Sequence, residues 1–171
     1  MPNWLTMNTW IISDTHFGHD NIVEYCDRPK NHDFLIYDNW KRIVGSKDPI
    51  FHLGDLTVWY GMKQEPWELL ALHLPGKKKL LKGNHDPRSD EEYAALGYTV
   101  VEPMVVRVGV HRILFTHEPC LTPSENWDIN IHGHVHNNGH RNEGLDELPP
   151  WCKNVSIEVM NYVPVKLGDI L

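Results

Sequence analysis

Five short polar blocks carry side chains able to hold metal ions: Asp14-Thr15-His16, Gly54-Asp55, Gly83-Asn84-His85-Asp86, His117, and Gly133-His134-Val135-His136. Carboxylate, amide and imidazole donors together suit borderline divalent ions such as manganese, iron, zinc or nickel, whereas an all-thiolate or all-oxygen set would point elsewhere. In an extended segment residues i and i+2 point the same way, so Asp14 with His16, and His134 with His136, can approach one ion or two adjacent ions. Glycine before Asp55, Asn84 and His134 lets the chain turn tightly or come close to a bound anion. Singly these signals are weak: an isolated aspartate is more often a helix cap or turn residue, and an isolated histidine at a strand end a surface residue. Only the joint set argues for a metal centre.

The blocks fall where strands should end. Thr9 to Ser13 is a short apolar run that stops at Asp14, Pro49 to Leu53 stops at Gly54-Asp55, and Lys78 to Lys82 runs into Gly83-Asn84-His85-Asp86. Between them, Phe34, Tyr37, Trp40 or Lys41, and Val44 recur at helical spacing before Gly45, which predicts a helix over about 33–44. Pro66 could open a second helix through Trp67, Leu70, Ala71 and Leu74, and Ser89-x-x-Glu92 is a capping-box pattern for a third. The first half is therefore βαβαβα in outline. From Tyr98 onward the runs are short and β-like: Val100-Val101, Met104 to Val108, Arg112 to Phe115, Ile129 to Ile131, Val155 to Val159 and Val163 to Val165. Residues 137–150 lack apolar periodicity and read as an exposed loop.

A length of 171 residues with 41% hydrophobic content allows one domain over 1–171 and a substantial core. No run approaches the roughly 20 apolar residues a bilayer span needs, and no signal-peptide pattern opens the chain, so no membrane partner and a cytoplasmic location are expected. Cys26, Cys120 and Cys152 form no C-x-x-C pair, which argues against a disulfide framework or zinc ribbon. A net charge of -7 disfavours binding of extended nucleic acid by bulk electrostatics.

Present together and in order, the blocks D-x-H, G-D, G-N-H-D, H and G-H-x-H resemble the calcineurin-like metallophosphoesterase family, over residues 14–136. The resemblance implies an α/β fold, a four-layer α/β/β/α sandwich of two mixed β-sheets with the site at one edge. It implies two divalent transition-metal ions, manganese first, with iron, nickel or zinc as alternatives. Asp14, His16 and His136 would hold the first ion, Asn84, His117 and His134 the second, and Asp55 would bridge them. A bridging hydroxide would attack phosphorus, with His85 catalytic at the leaving group. The implied activity is a metal-dependent phosphoric ester hydrolase, a phosphodiesterase on small nucleotide-like phosphate esters. A phosphomonoesterase, or a noncatalytic interaction scaffold on the same fold, are the alternatives. Leu56-Thr57-Val58-Trp59 departs from the protein Ser/Thr phosphatase branch, where a further acid and an arginine follow the bridging aspartate, so no carboxylate is assigned to orient His85.

Outside the blocks, His19, Asn21 and Arg28 are candidate substrate contacts, although Asn21-x-x-Glu24 also resembles a capping box. Trp59, Trp127 and Trp151 could stack on a nucleobase, with core packing the default. Lys77, Lys78 and Lys79 are expected to be solvated. Nothing in the sequence sets the oligomeric state.

Overall fold

The computed structural model describes residues 2–57, 70–137 and 147–171. Trp10–Ile12 (β1), Pro49–His52 (β2), Lys77–Leu80 (β3) and Tyr98–Val100 (β4) form a parallel sheet in the order β4-β3-β2-β1. Val165–Lys166 (β9) closes its edge antiparallel to β1. The second sheet holds Met104–Val108 (β5), His111–Phe115 (β6), Ile129–His132 (β7) and Cys152–Asn154 (β8) in chain order. Its first pair is antiparallel and the other two parallel, so both sheets are mixed, as an α/β fold of this kind requires.

Alternation along each strand builds two cores. Ile11, Phe51, Leu53 and Leu81 point between the sheets and meet Val106, Ile113, Phe115 and Ile131, with Phe51 and Phe115 rings 5.3 Å apart. Ile12, Ile50 and Leu80 face the other way, against Ile36 and Trp40 of the helix His32–Ile43 (α2) and Tyr93 of the helix Asp90–Ala95 (α3). Ser89 caps α3 as its pattern predicts: its hydroxyl accepts from Glu92 N–H at 3.2 Å and its own N–H donates to Glu92 at 2.8 Å. A short helix Ile22–Cys26 (α1) precedes α2, and Leu167–Ile170 (α4) ends the chain. No helix among the described residues is long and apolar enough to cross a membrane.

Three expectations change. In α2 the inward stripe runs through His32, Ile36 and Trp40, while Phe34 is 65% exposed; the spacing is helical but the expected face is rotated. The run Val155 to Val159 is not a strand. It leaves β8, bridges Ser156 to Ser13 beyond the end of β1, and turns, with Val159 N–H bonded back to Ser156 O at 2.9 Å. Lys78 is buried rather than solvated, its ammonium donating to the Ala71 and Leu96 carbonyls at 2.9 and 3.2 Å, and burial pulls its pKa down to about 8. Residues 70–73 are helical, which fits the expected second helix; its start at Pro66, and Val58 and Trp59, lie outside the described residues.

Candidate metal centre

All five blocks sit beyond the C-terminal ends of parallel strands, β1, β2, β3, β6 and β7, the edge where open α/β sheets gather ligands. The first two loops zip together: Asp14 N–H donates to Gly54 O at 2.9 Å, His16 N–H to Asp55 O at 3.0 Å and Phe17 N–H to Leu56 O at 3.0 Å. Eight non-glycine residues among those described have φ in the left-handed region, and five are Asp14, His16, Asp55, His134 and His136. Each such residue costs on the order of 1–3 kcal/mol, so the surrounding structure must over-determine these turns. Simple extended alternation therefore does not describe D-x-H and H-x-H here. The left-handed turns send His134 and His136 into different clusters.

The first cluster is Asp14, His16 and His136, whose donor atoms lie within 4.8 Å of one another; Asp55, His117 and His134 form the second on the same measure. Asn84 joins the second, its amide oxygen 3.0 Å from His117 Nε2 and 3.1 Å from His134 Nδ1. Asp55 stands between the two. Its Oδ2 is 3.4 Å from His16 Nε2 and 3.4 Å from His117 Nε2, while Oδ1 is pinned by the His85 N–H at 2.9 Å. Close packing depends on two glycines. A Cβ on Gly83 would strike the Asp55 carboxylate and the His117 ring, and one on Gly133 would strike the Asp14 carboxylate.

Hydrogen bonds fix which nitrogen each histidine presents. His117 Nδ1 lies 2.8 Å from Leu53 O and so carries the proton, leaving Nε2 toward Asp55 and Asn84. His52 is fully buried, and burial lowers its pKa to about 3, so it is neutral. The Thr15 hydroxyl donates to Leu56 O at 2.8 Å and takes the His52 Nε2–H at 3.0 Å, which ties the strand β2 to the loop holding Asp14.

The charges ask for a cation. Burial alone would lower the pKa of His117, yet its hydrogen bond to Asp55 and the Asp14 and Asp55 charges push it up to about 9. Burial is likewise outweighed at His136, where Cys26, Glu158 and Asp14 push the imidazole up to about 10. Both histidines are then imidazolium at neutral pH, with protons where the donor set would place metal charge. His16 stays neutral because burial dominates, and neither of its ring nitrogens has a hydrogen-bond partner. A buried imidazole without a hydrogen-bond partner beside two carboxylates fits a divalent ion as its partner.

His85 is half-buried at the rim, its ring 5.5 Å from that of His16. Asp86 does not orient it. The Asp86 carboxylate is taken up by Asp55 N–H at 2.7 Å, Gly83 N–H at 2.9 Å, Leu56 N–H at 3.1 Å and the Tyr93 hydroxyl at 3.1 Å. It clamps the second and third loops to each other. Asp86→Asn turns an amide N–H₂ onto two of these donors, so chemical denaturation should show a loss of about 1–3 kcal/mol; unchanged stability would remove the clamp from the account.

The remaining candidates separate. His19 is half-buried with its ring 5.6 Å from that of His16, beside the site. Asn21 is exposed at the start of α1 and makes no side-chain cap, so the expected capping box is not formed. Arg28 is buried, its guanidinium donating to Asp14 O at 2.6 Å, Thr15 O at 2.8 Å and Glu158 Oε1 at 2.7 Å. Trp127 is buried and Trp151 donates its indole N–H to Cys120 O at 3.0 Å; Trp59 and most of the loop 137–150 lie outside the described residues. Glu158, which takes the N–H of His136 at 3.0 Å, was not among the sequence candidates. Its signal is a lone carboxylate inside the apolar run Val155 to Val159.

No family model matches the chain. The uncharacterized protein MJ1445 of Methanocaldococcus jannaschii is 36% identical over 172 residues, covering 95% of this chain and 88% of that one. The gene 66 protein of Mycobacterium phage L5 is 28% identical over 160 residues, 75% of this chain and 77% of that one. Among solved structures, the protein of unknown function AQ665 from Aquifex aeolicus matches with TM-score 0.73 and 28% identity, covering 95% of this chain and 96% of that one. Pseudomonas putida nuclease MPE matches with TM-score 0.52 and 22% identity, covering 76% of this chain and 62% of the nuclease, a likeness of fold. With more than a third of its residues shared along nearly its whole length, this chain belongs to the family of the Methanocaldococcus jannaschii protein MJ1445.

Proposed function

We propose that the chain is a dinuclear metal-dependent phosphodiesterase of the calcineurin-like metallophosphoesterase type, acting on small nucleotide-like esters. The observation that carries this is Asp55, whose Oδ2 stands at equal distance from a histidine of each donor cluster. Asp14, His16 and His136 would hold one ion, and Asn84, His117 and His134 the other, with Asp55 available to both. Two divalent ions there would supply an activated water and offset charge on the phosphate oxygens.

The chain's own residues do the rest. The Asp86 clamp keeps the second and third loops together, so that the Asp55 and Asn84 donors keep their spacing. The His85 backbone is tied to Asp55 Oδ1, which holds its ring at the rim, where its imidazole donates a proton to the departing oxygen. A diester suits the site better than a monoester. The extra negative charge of a monoester calls for a further cation, and Arg28 is spent on Glu158 and two carbonyls.

The test is hydrolysis of bis-p-nitrophenyl phosphate and p-nitrophenyl phosphate by metal-stripped protein after separate addition of manganese, nickel, zinc or magnesium. Metal-dependent turnover with faster diester cleavage is expected. Faster monoester cleavage makes the protein a phosphatase, and inactivity with two ions bound makes it a scaffold.

A further inference from the structure

Three segments far apart in the chain meet beneath the first donor cluster: the end of α1 with Cys26 and Arg28, the turn carrying His136, and the turn carrying Glu158. Asn137 ties the second to the first by donating to Cys26 O at 3.0 Å, and Asn154 ties the third to the second by donating to His136 O at 2.7 Å. At their centre is a buried ion pair, Arg28 Nη2 to Glu158 Oε1 at 2.5 Å, with side chains 0% and 1% exposed. Stability alone does not account for such a pair, because an apolar pair of similar volume commonly serves the fold as well or better.

Cys26, His136 and Glu158 also bring donor atoms within 4.8 Å of one another, which on distance alone could hold an ion. The guanidinium argues against that. It occupies Glu158 Oε1 through two nitrogens, and its positive charge would oppose a second cation. What the pair does hold is the neighbouring cluster. Arg28 binds the carbonyls of Asp14 and Thr15 on either side of a peptide in a left-handed turn, with Asp14 at φ 58. Glu158 accepts from His136 Nδ1, so the opposite nitrogen, Nε2, faces Asp14 at 4.0 Å.

We propose that Arg28 and Glu158 are positioning residues for the first ion, Arg28 by fixing the Asp14 loop and Glu158 by fixing the tautomer and ring angle of His136. This rests on the dinuclear assignment above. Outer partners of this sort commonly change metal affinity by about 10–100-fold.

The test is calorimetric titration of manganese into metal-stripped wild type, Glu158→Ala and Glu158→Gln, with thermal melts of the metal-free proteins. Wild type takes up two ions. Glu158→Ala weakens one of them about 10–100-fold and spares the other. Glu158→Gln recovers most of the loss, because its amide oxygen can still accept from His136 while its N–H₂ replaces Oε2, which has no partner. A second measurement needs no variant: long-range proton–nitrogen spectra of zinc-loaded wild type should show His136 protonated at Nδ1 and ligated through Nε2. Unchanged manganese affinity in Glu158→Ala, equal weakening of both ions, or ligation through Nδ1 would overturn the positioning role. Wild type that binds no manganese overturns the dinuclear assignment itself, a different and recognisable result.

Discussion

Replacing His85 by alanine is expected to lower kcat for bis-p-nitrophenyl phosphate by about 10²–10⁴-fold while both ions stay bound. The separation of effects follows from where the residue's parts sit. Its backbone N–H holds Asp55 Oδ1 and survives the substitution, so the shared carboxylate keeps its orientation. Its ring lies outside both donor clusters, 5.5 Å from the His16 ring, and is lost. A proton donor matters most when the departing oxygen is basic. The defect should therefore be larger for an alkyl-type leaving group, such as a nucleoside hydroxyl, than for p-nitrophenolate. Metal content by elemental analysis and rates on both substrates check this. Equal defects on the two, or loss of an ion from His85→Ala, would place the residue in the fold of the site rather than in the reaction.

The second large effect is on metal affinity. His117, pushed up to about 9, and His136, pushed up to about 10, both carry a proton at pH 7 in the metal-free protein. Ions that take the neutral imidazoles must displace those protons, one at each cluster, so the apparent manganese affinity of each site should rise between pH 6 and 9 by up to about tenfold per pH unit. It should level off above about 10. Titrations in two buffers of different ionisation enthalpy count the protons released, and an affinity flat between pH 6 and 9 would refute the ligand assignment. Metal-free stability runs the other way. Because the folded pKa values lie above the ordinary histidine value of 6.5, the stability these groups contribute is present in full below about 6.5 and is lost as pH rises through 9 to 10. Chelation should thus cost the protein more at pH 9 than at pH 6, which thermal melts with and without chelator will show.

The candidate donors that the fold gathers could be picked out in the sequence because ligand chemistry needs specific side-chain types, and five blocks of them leave little freedom. Strand ends are legible for a related reason: Ile11-Ile12, Phe51 and Leu80 are apolar on both faces because both faces of that sheet are covered. What supports the donors is not. Asp86 lies in the same block as His85, and nothing in one dimension tells a carboxylate that orients an imidazole from one that binds three backbone N–H groups. Arg28 pairs with a residue 130 positions away, so its role is visible only once the chain is folded. The apolar run Val155 to Val159 looks like a strand because a buried turn needs the same residues; Val155 and Ile157 are wholly buried, but the backbone between Ser156 and Tyr162 bends.

The bridge between Ser13 and Ser156 joins the end of the first strand to the turn that carries Glu158. During synthesis, Asp14, His16 and Arg28 emerge early and wait for Glu158, whereas the second donor cluster is complete in sequence at His134. A nascent chain released from the ribosome only as far as β8 would therefore hold its first cluster unbraced, with a guanidinium lacking its counter-charge. Ion loading at that position would then be coupled to the turn around Glu158, 130 positions beyond Arg28, rather than to the first strands that carry its ligands.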